Sequence, residues 1–548
     1  MSAHLSNELL IKIFAEVRDD ENSYPLKRWI IVTHVCRHWR NTALASPILW
    51  SSARVSGHLP GDVPFVRLCL QRAQNTPVDV LIEVKGTAAV ISGIMVLVRE
   101  HAGHIRRLKL QVEPVTEQLF QLDFSLPALE ALELYATRDE GDIRVYPMQH
   151  FTPTPSHFPC LRQLALENVY VPWEWDPSIL TPLTSLQLLN YWYGPGDGPS
   201  KSQLLGMLST LSNLKTLTLV DSGWLLEGED DVLVVPSQPS PIIHLPALRH
   251  LTLSHLPVYV MALITHLAAP LQTTVHLTFR QYAGAHEEGE MVQTAIMAAL
   301  GQYSPTAAVS HSSTVGEGKA ALAPVNIGCV AMSLSGSDDW TMEIQCRTSC
   351  FSHGAVDPLP LRINIVQDEE EPVPDDYVFG VLLEGALKAL SPYKPECLHY
   401  AGSPISDADS IIPMILTNLQ DIRRLEIETA EPIYFIDSLQ ECCDNGCIPA
   451  IQHLILTDLT GRLDKFEDLL REYISENGNS LESLVIKTVA RADAAGNLEE
   501  VSISEDILEE LEDVVDSVEV LPLSEAERDR RLMGRLYQHF DLDATWAA

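Results

Sequence analysis

The stretch Gly194–Ser202 reads G-P-G-D-G-P-S-K-S, and a glycine-rich run ending in lysine and a hydroxyl residue is the kind of sequence that cradles phosphate on backbone N–H groups. Here Ser200 stands where a glycine should precede Lys201, and Pro195 and Pro199 remove donors such a loop needs, so a surface turn is expected. Thiols beside imidazoles are the next chemistry to weigh: Cys442, Cys443 and Cys447 with His453, and Cys346 and Cys350 with His353. Neither group has paired C-x-x-C spacing, and adjacent cysteines fit one tetrahedral ion poorly, so both are expected to be core or loop thiols. The sequence contains no H-E-x-x-H, no G-x-S-x-G and no acid/base constellation. It therefore predicts a non-catalytic chain with no cofactor and no metal.

What remains is apolar surface and the elements that carry it. Near the start, Leu5, Leu9 and Ile13, with Leu10 and Phe14 beside them, recur at three- and four-residue steps and predict a short helix. Ser6 is its expected N-cap, and Glu8 complements the helix dipole. A second stripe, Val32, Val35, Cys36, Trp39 and Ala43, leaves Arg37, His38 and Arg40 on the wet side. Ser46-Pro47 ends that helix, since a proline disfavours helix in the residue before it. Ile48, Leu49 and Trp50 are then expected to fold back as a lid. So small a unit cannot bury two apolar faces alone, because a domain under about 60 residues keeps much of its surface wet. A partner is implied.

These residues resemble a known family. E-L-L-x-x-I-F from Glu8, V-C-x-x-W-R-x-x-A from Val35 and S-P-x-L-W from Ser46 are similar to an F-box, of the kind with a long link between helices found in fungi. Ser6 stands where the family usually has proline, and Arg18 to Trp29 is the long link. The resemblance covers about the first tenth of the chain. It implies a Skp-type adaptor as partner, and through it a cullin-RING (SCF) ubiquitin ligase. The implied adaptor contacts are Leu5, Leu9, Leu10, Ile13, Phe14, Val35, Cys36, Trp39, Leu49 and Trp50.

A hexad with apolar first, fourth and sixth residues then repeats. It reads I-R-R-L-K-L from Ile105, L-E-A-L-E-L from Leu129, L-R-Q-L-A-L from Leu161, L-Q-L-L-N-Y from Leu186, L-K-T-L-T-L from Leu214 and L-R-H-L-T-L from Leu248. Later copies start at Ile422, Ile451 and Leu481. Three inward knobs beside a bend suit a leucine-rich-repeat strand, so the chain resembles a degenerate array of that family. The expected fold is α/β: a short helical F-box followed by an irregular leucine-rich-repeat-like solenoid of parallel strands, with helices and loops on the convex side. The expected divisions are an F-box-like domain over 1–55, a helix/strand linker over 56–104, the array over 105–523 and a charged helix with tail over 524–548. Between Leu271 and Leu398 the hexad fades, and only strand-like pieces from Val275, Val330, Thr341 and Leu361 persist. Glu227–Pro241, Gln302–Asn326 and Asp368–Asp376 have loop compositions that cannot bury enough apolar surface to repay ordering.

The 548 residues hold 37 Lys plus Arg against 74 Asp plus Glu, a formal charge of −37. Such a field repels phosphate backbones and anionic membranes, which argues against both as main partners. The apolar run Val258–Leu271 is too short for a span needing about 20 residues and reads as a buried helix. No signal peptide is legible, and ten cysteines without a framework of spacings fit a reducing compartment, so a cytoplasmic or nuclear protein is expected.

In each hexad the third, fifth and following residues should face outward. That set includes Arg107, Lys109 and Gln111; Ala131, Glu133 and Tyr135; Gln163, Ala165 and Glu167; Leu188, Asn190 and Trp192; and Thr216, Thr218 and Val220. Exposed aromatics among polar neighbours suit recognition, so Tyr135 and Trp192, with Arg107 and Lys109 as a local basic spot, are the expected substrate-binding residues. The expectation is thus a substrate-recognition subunit of an SCF-type ligase. Its rivals are a stand-alone interaction scaffold and an enzyme with a site hidden in the long loops.

Overall fold

The computed structural model describes residues 5–19, 28–56, 59, 61–82, 88–112, 122–136, 149–151, 153–170, 176–189, 200–221, 242–270, 272–280, 288–302, 327–335, 341–347, 358–366, 376–402, 408–428, 451–457, 481–488, 490–492, 498–500, 505–512 and 515–522. They form a mixed α/β protein whose strands are mostly parallel. Two compact units are present: Met1–His255 with His266–Thr273, and Leu256–Thr265 with Thr274–Ala548.

The first unit opens with α1 (Asn7–Asp19), α2 (Val32–Val35), α3 (Arg37–Ala45) and a tight turn at Pro47–Trp50. Its strands are β1 (Ser52–Val55), β2 (Val78–Ile82), β3 (Ile105–Val112), β4 (Ala131–Ala136), β5 (Gln163–Glu167), β6 (Ser185–Leu189), β7 (Thr216–Val220) and β8 (His250–His255), each parallel to the next. Helices α4 (Asp62–Ala73), α5 (Ala88–Glu100), α6 (Pro177–Leu180) and α7 (Lys201–Ser209) lie in the connections. Two ladders explain the arrangement. Ala53, Val80, Leu108, Leu132, Leu164, Leu186, Leu217 and Leu251 stand side by side, none more than 1% exposed. Each leucine so buried contributes about 1.5–3 kcal/mol. Below them the backbone N–H groups of Glu130, Arg162, Thr184, Lys215 and Arg249 donate to the carbonyls of Arg106, Glu130, Arg162, Thr184 and Lys215 at 2.7–2.8 Å. These satisfy the bend before each strand, where a buried unpaired amide would be costly.

The ladders correct two readings. Thr184 occupies the second position of its copy, so the fourth hexad is L-T-S-L-Q-L from Leu183, and Leu188 is an inward residue, fully buried. The run Leu183–Leu189 holds four leucines and fits the pattern in two frames; the frame that wins is the one that buries Leu183. The parallel ladder also begins at Ser52, and Val78–Ile82, within the 56–104 expected as a linker, is one of its strands.

The second unit contains α8 (Pro257–Ile264), β9 (Thr274–Arg280), α9 (Glu288–Gln302), β10 (Cys329–Ser335), β11 (Thr341–Arg347), β12 (Pro358–Val366), α10 (Asp376–Leu390), β13 (Cys397–Gly402), α11 (Ala408–Asn418), β14 (Arg424–Glu428), β15 (His453–Thr457), β16 (Ser483–Thr488), α12 (Glu505–Glu512) and β17 (Val518–Pro522). Spatially, β9 lies parallel to β12, which runs antiparallel to β11, which runs antiparallel to β10; β10 is parallel to β13, and parallel pairing continues to β17. All four strand-like pieces after Leu271 are strands, but β11 breaks the expected all-parallel order. T-M-E-I-Q-C alternates with period two, burying Met342, Ile344 and Cys346 without the hexad's bend, and such a strand is free to run antiparallel in a meander. Register also reveals three unread copies, from Ile327, Pro395 and Val515.

Helices α9 and α10 pack on each other at glycines. A Cβ on Gly289 would come within 2.7 Å of the Val381 carbonyl, and one on Gly385 would strike the Gly289 carbonyl. Only glycine permits so close a backbone crossing. The run from Val258 forms α8, with Pro257, Val260, Leu263 and Ile264 buried. Among the described residues no helix is long and apolar enough to cross a membrane. Glu227–Pro241, Ser524–Phe540 and the interiors of the two other expected loops lie outside the described residues; Gln302 ends α9 and Asp376 begins α10.

Candidate partner-binding surfaces

Helix α1 carries two apolar faces. The Ser6 carbonyl accepts from the Leu10 N–H at 3.0 Å, and its hydroxyl accepts from Leu9 at 3.4 Å. Hydrogen bonds from the backbone, then from Ser6, hold the Glu8 carboxyl below its ordinary range. Leu10 and Phe14 turn inward and are fully buried. Leu5, Leu9, Ile13 and Val17, each one turn from the next, face out.

The second helical stretch is broken at Cys36, whose backbone is extended (φ −157°, ψ 171°) and whose Sγ accepts from the Trp39 N–H at 3.4 Å to cap α3. The break splits the expected stripe: Val32 and Ala43 go in, while Val35 and Cys36 face out. Trp39 is half-buried with its ring 5.1 Å from that of Phe14, and the Thr42 hydroxyl donates to Asn7 Oδ1 at 3.1 Å, tying α3 to α1. After the extended Ser46, the Pro47–Trp50 turn folds back as a lid. Trp50 is buried, its Nε1 donating to the Ala43 carbonyl at 2.9 Å. Its ring meets Trp29 edge-on at 5.1 Å, so Trp29, the last residue of the long link, is anchored inside the hairpin. The Arg72 guanidinium of α4 lies 5.1 Å from the same ring, and Arg18 Nη1 donates to the Ile48 carbonyl at 2.6 Å.

Of the ten residues expected to meet an adaptor, four are corrected: Leu10, Phe14, Leu49 and Trp50 form the hairpin's own core and offer no surface. They are buried because three short helical pieces need a centre of their own before they present anything. Leu5, Leu9, Ile13, Val35 and Cys36 are exposed. Val17, Ile31 and Ile48 join them unread by the sequence, although the four-residue step from Ile13 pointed to Val17. Among the described residues thirteen large apolar side chains are exposed, and seven of them are Leu5, Leu9, Ile13, Val17, Ile31, Val35 and Ile48. Among the described residues, exposed apolar side chains are therefore concentrated between Leu5 and Ile48, which is how interaction sites differ from scattered single residues.

The strand faces behave differently. Arg107 Nε donates to Glu133 Oε1 at 2.8 Å, and the Tyr135 hydroxyl donates to Glu133 Oε2 at 3.2 Å. Lys109 Nζ sits 5.6 Å from the Tyr135 ring centre. Burial, and after it the Glu133 charge, pushes the Tyr135 phenol up. Half of the expected basic spot is thus corrected: Arg107 is paired across the strands with Glu133, while Lys109 lies over the Tyr135 ring. Ala131, Ala165 and Glu167 are buried, Gln163 is exposed, and Gln111, Thr216, Thr218 and Val220 are half-buried. Asn190 and Trp192 lie outside the described residues. In the second unit Glu343 pairs with Arg362 at 2.7 Å, and Glu426 with Lys487 at 2.9 Å.

The chemistry-bearing groups resolve plainly. Ser200 and Gln203 form a reciprocal capping box at the start of α7, so Lys201 opens a helix; residues 190–199 lie outside the described residues. Cys346 is fully buried, and burial pushes its thiol up to about 12; Cys350, His353, Cys442, Cys443 and Cys447 lie outside the described residues. Among the described residues no cluster of histidine, cysteine and carboxylate is arranged to hold a metal ion. Compared with known proteins, the chain matches no family model, and no curated sequence matches it significantly.

Proposed function

We propose that the chain is a substrate-recognition subunit of an SCF-type ubiquitin ligase: the N-terminal hairpin is an F-box that docks a Skp-type adaptor, and the strand arrays are degenerate leucine-rich repeats that hold a protein substrate. The observation that carries the reading is the apolar outer face of α1, with Val35 and Ile48 also exposed, on a hairpin that already buries Leu10, Phe14, Leu49 and Trp50 as its own core. Such a face loses exposure only against another molecule. The chain itself supplies no bond-making group in this reading. It raises the effective concentration of substrate near the ubiquitin-carrying enzyme, converting a bimolecular encounter into a nearly unimolecular one. Substrate would meet the outward strand positions, Tyr135 among them. The stand-alone scaffold remains the second reading, since the ladders of both units fit either.

Co-purification with the adaptor separates the two. Leu9→Asp with Val35→Asp places charge on the outer face and spares Leu10, Phe14 and Trp50. The proposal expects wild type to recover adaptor and the double variant to lose it at unchanged melting temperature. Equal recovery by both, or none by wild type, refutes it.

A further inference from the structure

At β17, the last described strand of the second unit, apolar residues are exposed. By register Val518 and Val520 stand beside Leu484 and Ile486, which are buried, yet Val520 and its neighbour Leu521 are each 37% exposed. Val518 is half-buried and Val520 stays wet, and among the described residues no strand pairs with the outer edge of β17; solenoid-like arrays need a terminal cap with a polar outer side. The same end is acidic. Helix α12 has the sequence E-D-I-L-E-E-L-E, and Glu509, Glu512, Asp516 and Glu519 are exposed there. Within the chain that follows, residues 528–540 are of opposite sign, with Arg528, Arg530, Arg531 and Arg535 against Asp529 alone, and Leu532, Met533, Leu536, Tyr537 and Phe540 recur there at helical steps. In a chain with twice as many acids as bases, so tight a group of arginines stands out.

We propose that segment Arg528–Phe540 docks on the open end of the second unit, its apolar residues covering Val518, Val520 and Leu521 and its arginines meeting the carboxylates of α12 and Glu519. The tether is adequate. Each residue between Pro522 and Arg528 spans up to about 3.3 Å, whereas neighbouring strands lie only about 4.8 Å apart. Apolar contact supplies the driving force, and charge complementarity sets the orientation.

Hydrogen exchange on the full chain tests this. Replacing Arg528, Arg530, Arg531 and Arg535 together by Glu is expected to speed exchange at Val518–Leu521 by at least about tenfold, with β14 and β15 unchanged. Leu532→Asp with Leu536→Asp is expected to do the same. Adding Glu509→Arg, Glu512→Arg and Glu519→Arg to the four-arginine variant should restore protection, an outcome that mere misfolding would not give. Equal exchange at β17 in wild type and both variants overturns the proposal. So does protection that disappears on dilution of wild type together with a dimer, which would assign the end to a second copy of the chain.

Discussion

On the outer side of α1, Leu5, Leu9 and Ile13 are 42–50% exposed; at the start of α9, Glu288 is only 8% exposed and its Oε2 has no hydrogen-bond partner among the described residues. The two regions leave opposite things unsatisfied. Apolar surface left in water is relieved by a macromolecule, because only a second surface removes area from solvent. A carboxyl left in the core is relieved by a proton, because burial disfavours the charged form. Burial raises the Glu288 carboxyl to about 7, beside the glycine crossing of α9 and α10. One region is thus poised for association and the other for titration.

The comparison breaks first if the hairpin's inner face is not its settled side. Trp50→Ala removes a buried ring with a hydrogen bond and two ring contacts, and an expected loss of about 3–5 kcal/mol should appear in chemical denaturation of the first unit. Ile48→Ala, on the outside, should change stability by less than about 0.5 kcal/mol. Next in size is the outer face: Leu9→Asp with Val35→Asp should weaken adaptor binding by about 100-fold or more, measured by titration calorimetry. Undiminished binding would leave the exposed ladder without a role.

The third prediction concerns Glu288. Its folded state holds the proton to about pH 7, whereas an unfolded carboxyl releases it near 4.5. The stability it permits is full below pH 4.5 and is lost as pH rises towards 7, by about 2–3 kcal/mol. Glu288→Gln should flatten that slope and raise the melting temperature at pH 8; an unchanged pH profile would remove the contrast between the two regions. The smallest effect is expected at Tyr135→Phe, which deletes the bond to Glu133: about 0.5–1.5 kcal/mol in stability. A far larger loss of substrate capture than of stability would sharpen the assignment of that strand face to recognition.

Much of this organisation is legible in the sequence because it rests on spacing. The hexad located β3, β4, β5, β7 and β8, and Ser6, Ser46 and Trp50 announced their turns. Burial within a doubly apolar helix is not legible. Five apolar residues between Leu5 and Phe14 cover both sides of α1, and only the position of Trp39 and Trp50 decides that Leu10 and Phe14 are inside. The interruption at Cys36 carries no glycine or proline to mark it. The hexads from Ile327 and Pro395 were hidden because Gly328, Cys329, Cys397 and Pro395 dilute the leucine signal, and their membership emerges only from pairing with neighbours. Whether a side chain such as Arg107 is free or neutralised depends on the adjacent strand, which sequence spacing does not disclose.

The skipped strand order between β9 and β13 also sets a timetable. During synthesis Val275 emerges long before Leu361, the residue it pairs with, and β10, β11 and β12 must be made before that edge of β9 closes. Until then the edge presents bare amides and carbonyls beside Val275, Leu277 and Phe279, a template on which another nascent chain can add a strand. Contacts so distant in sequence close slowly, so this middle segment governs how long the newborn chain needs protection.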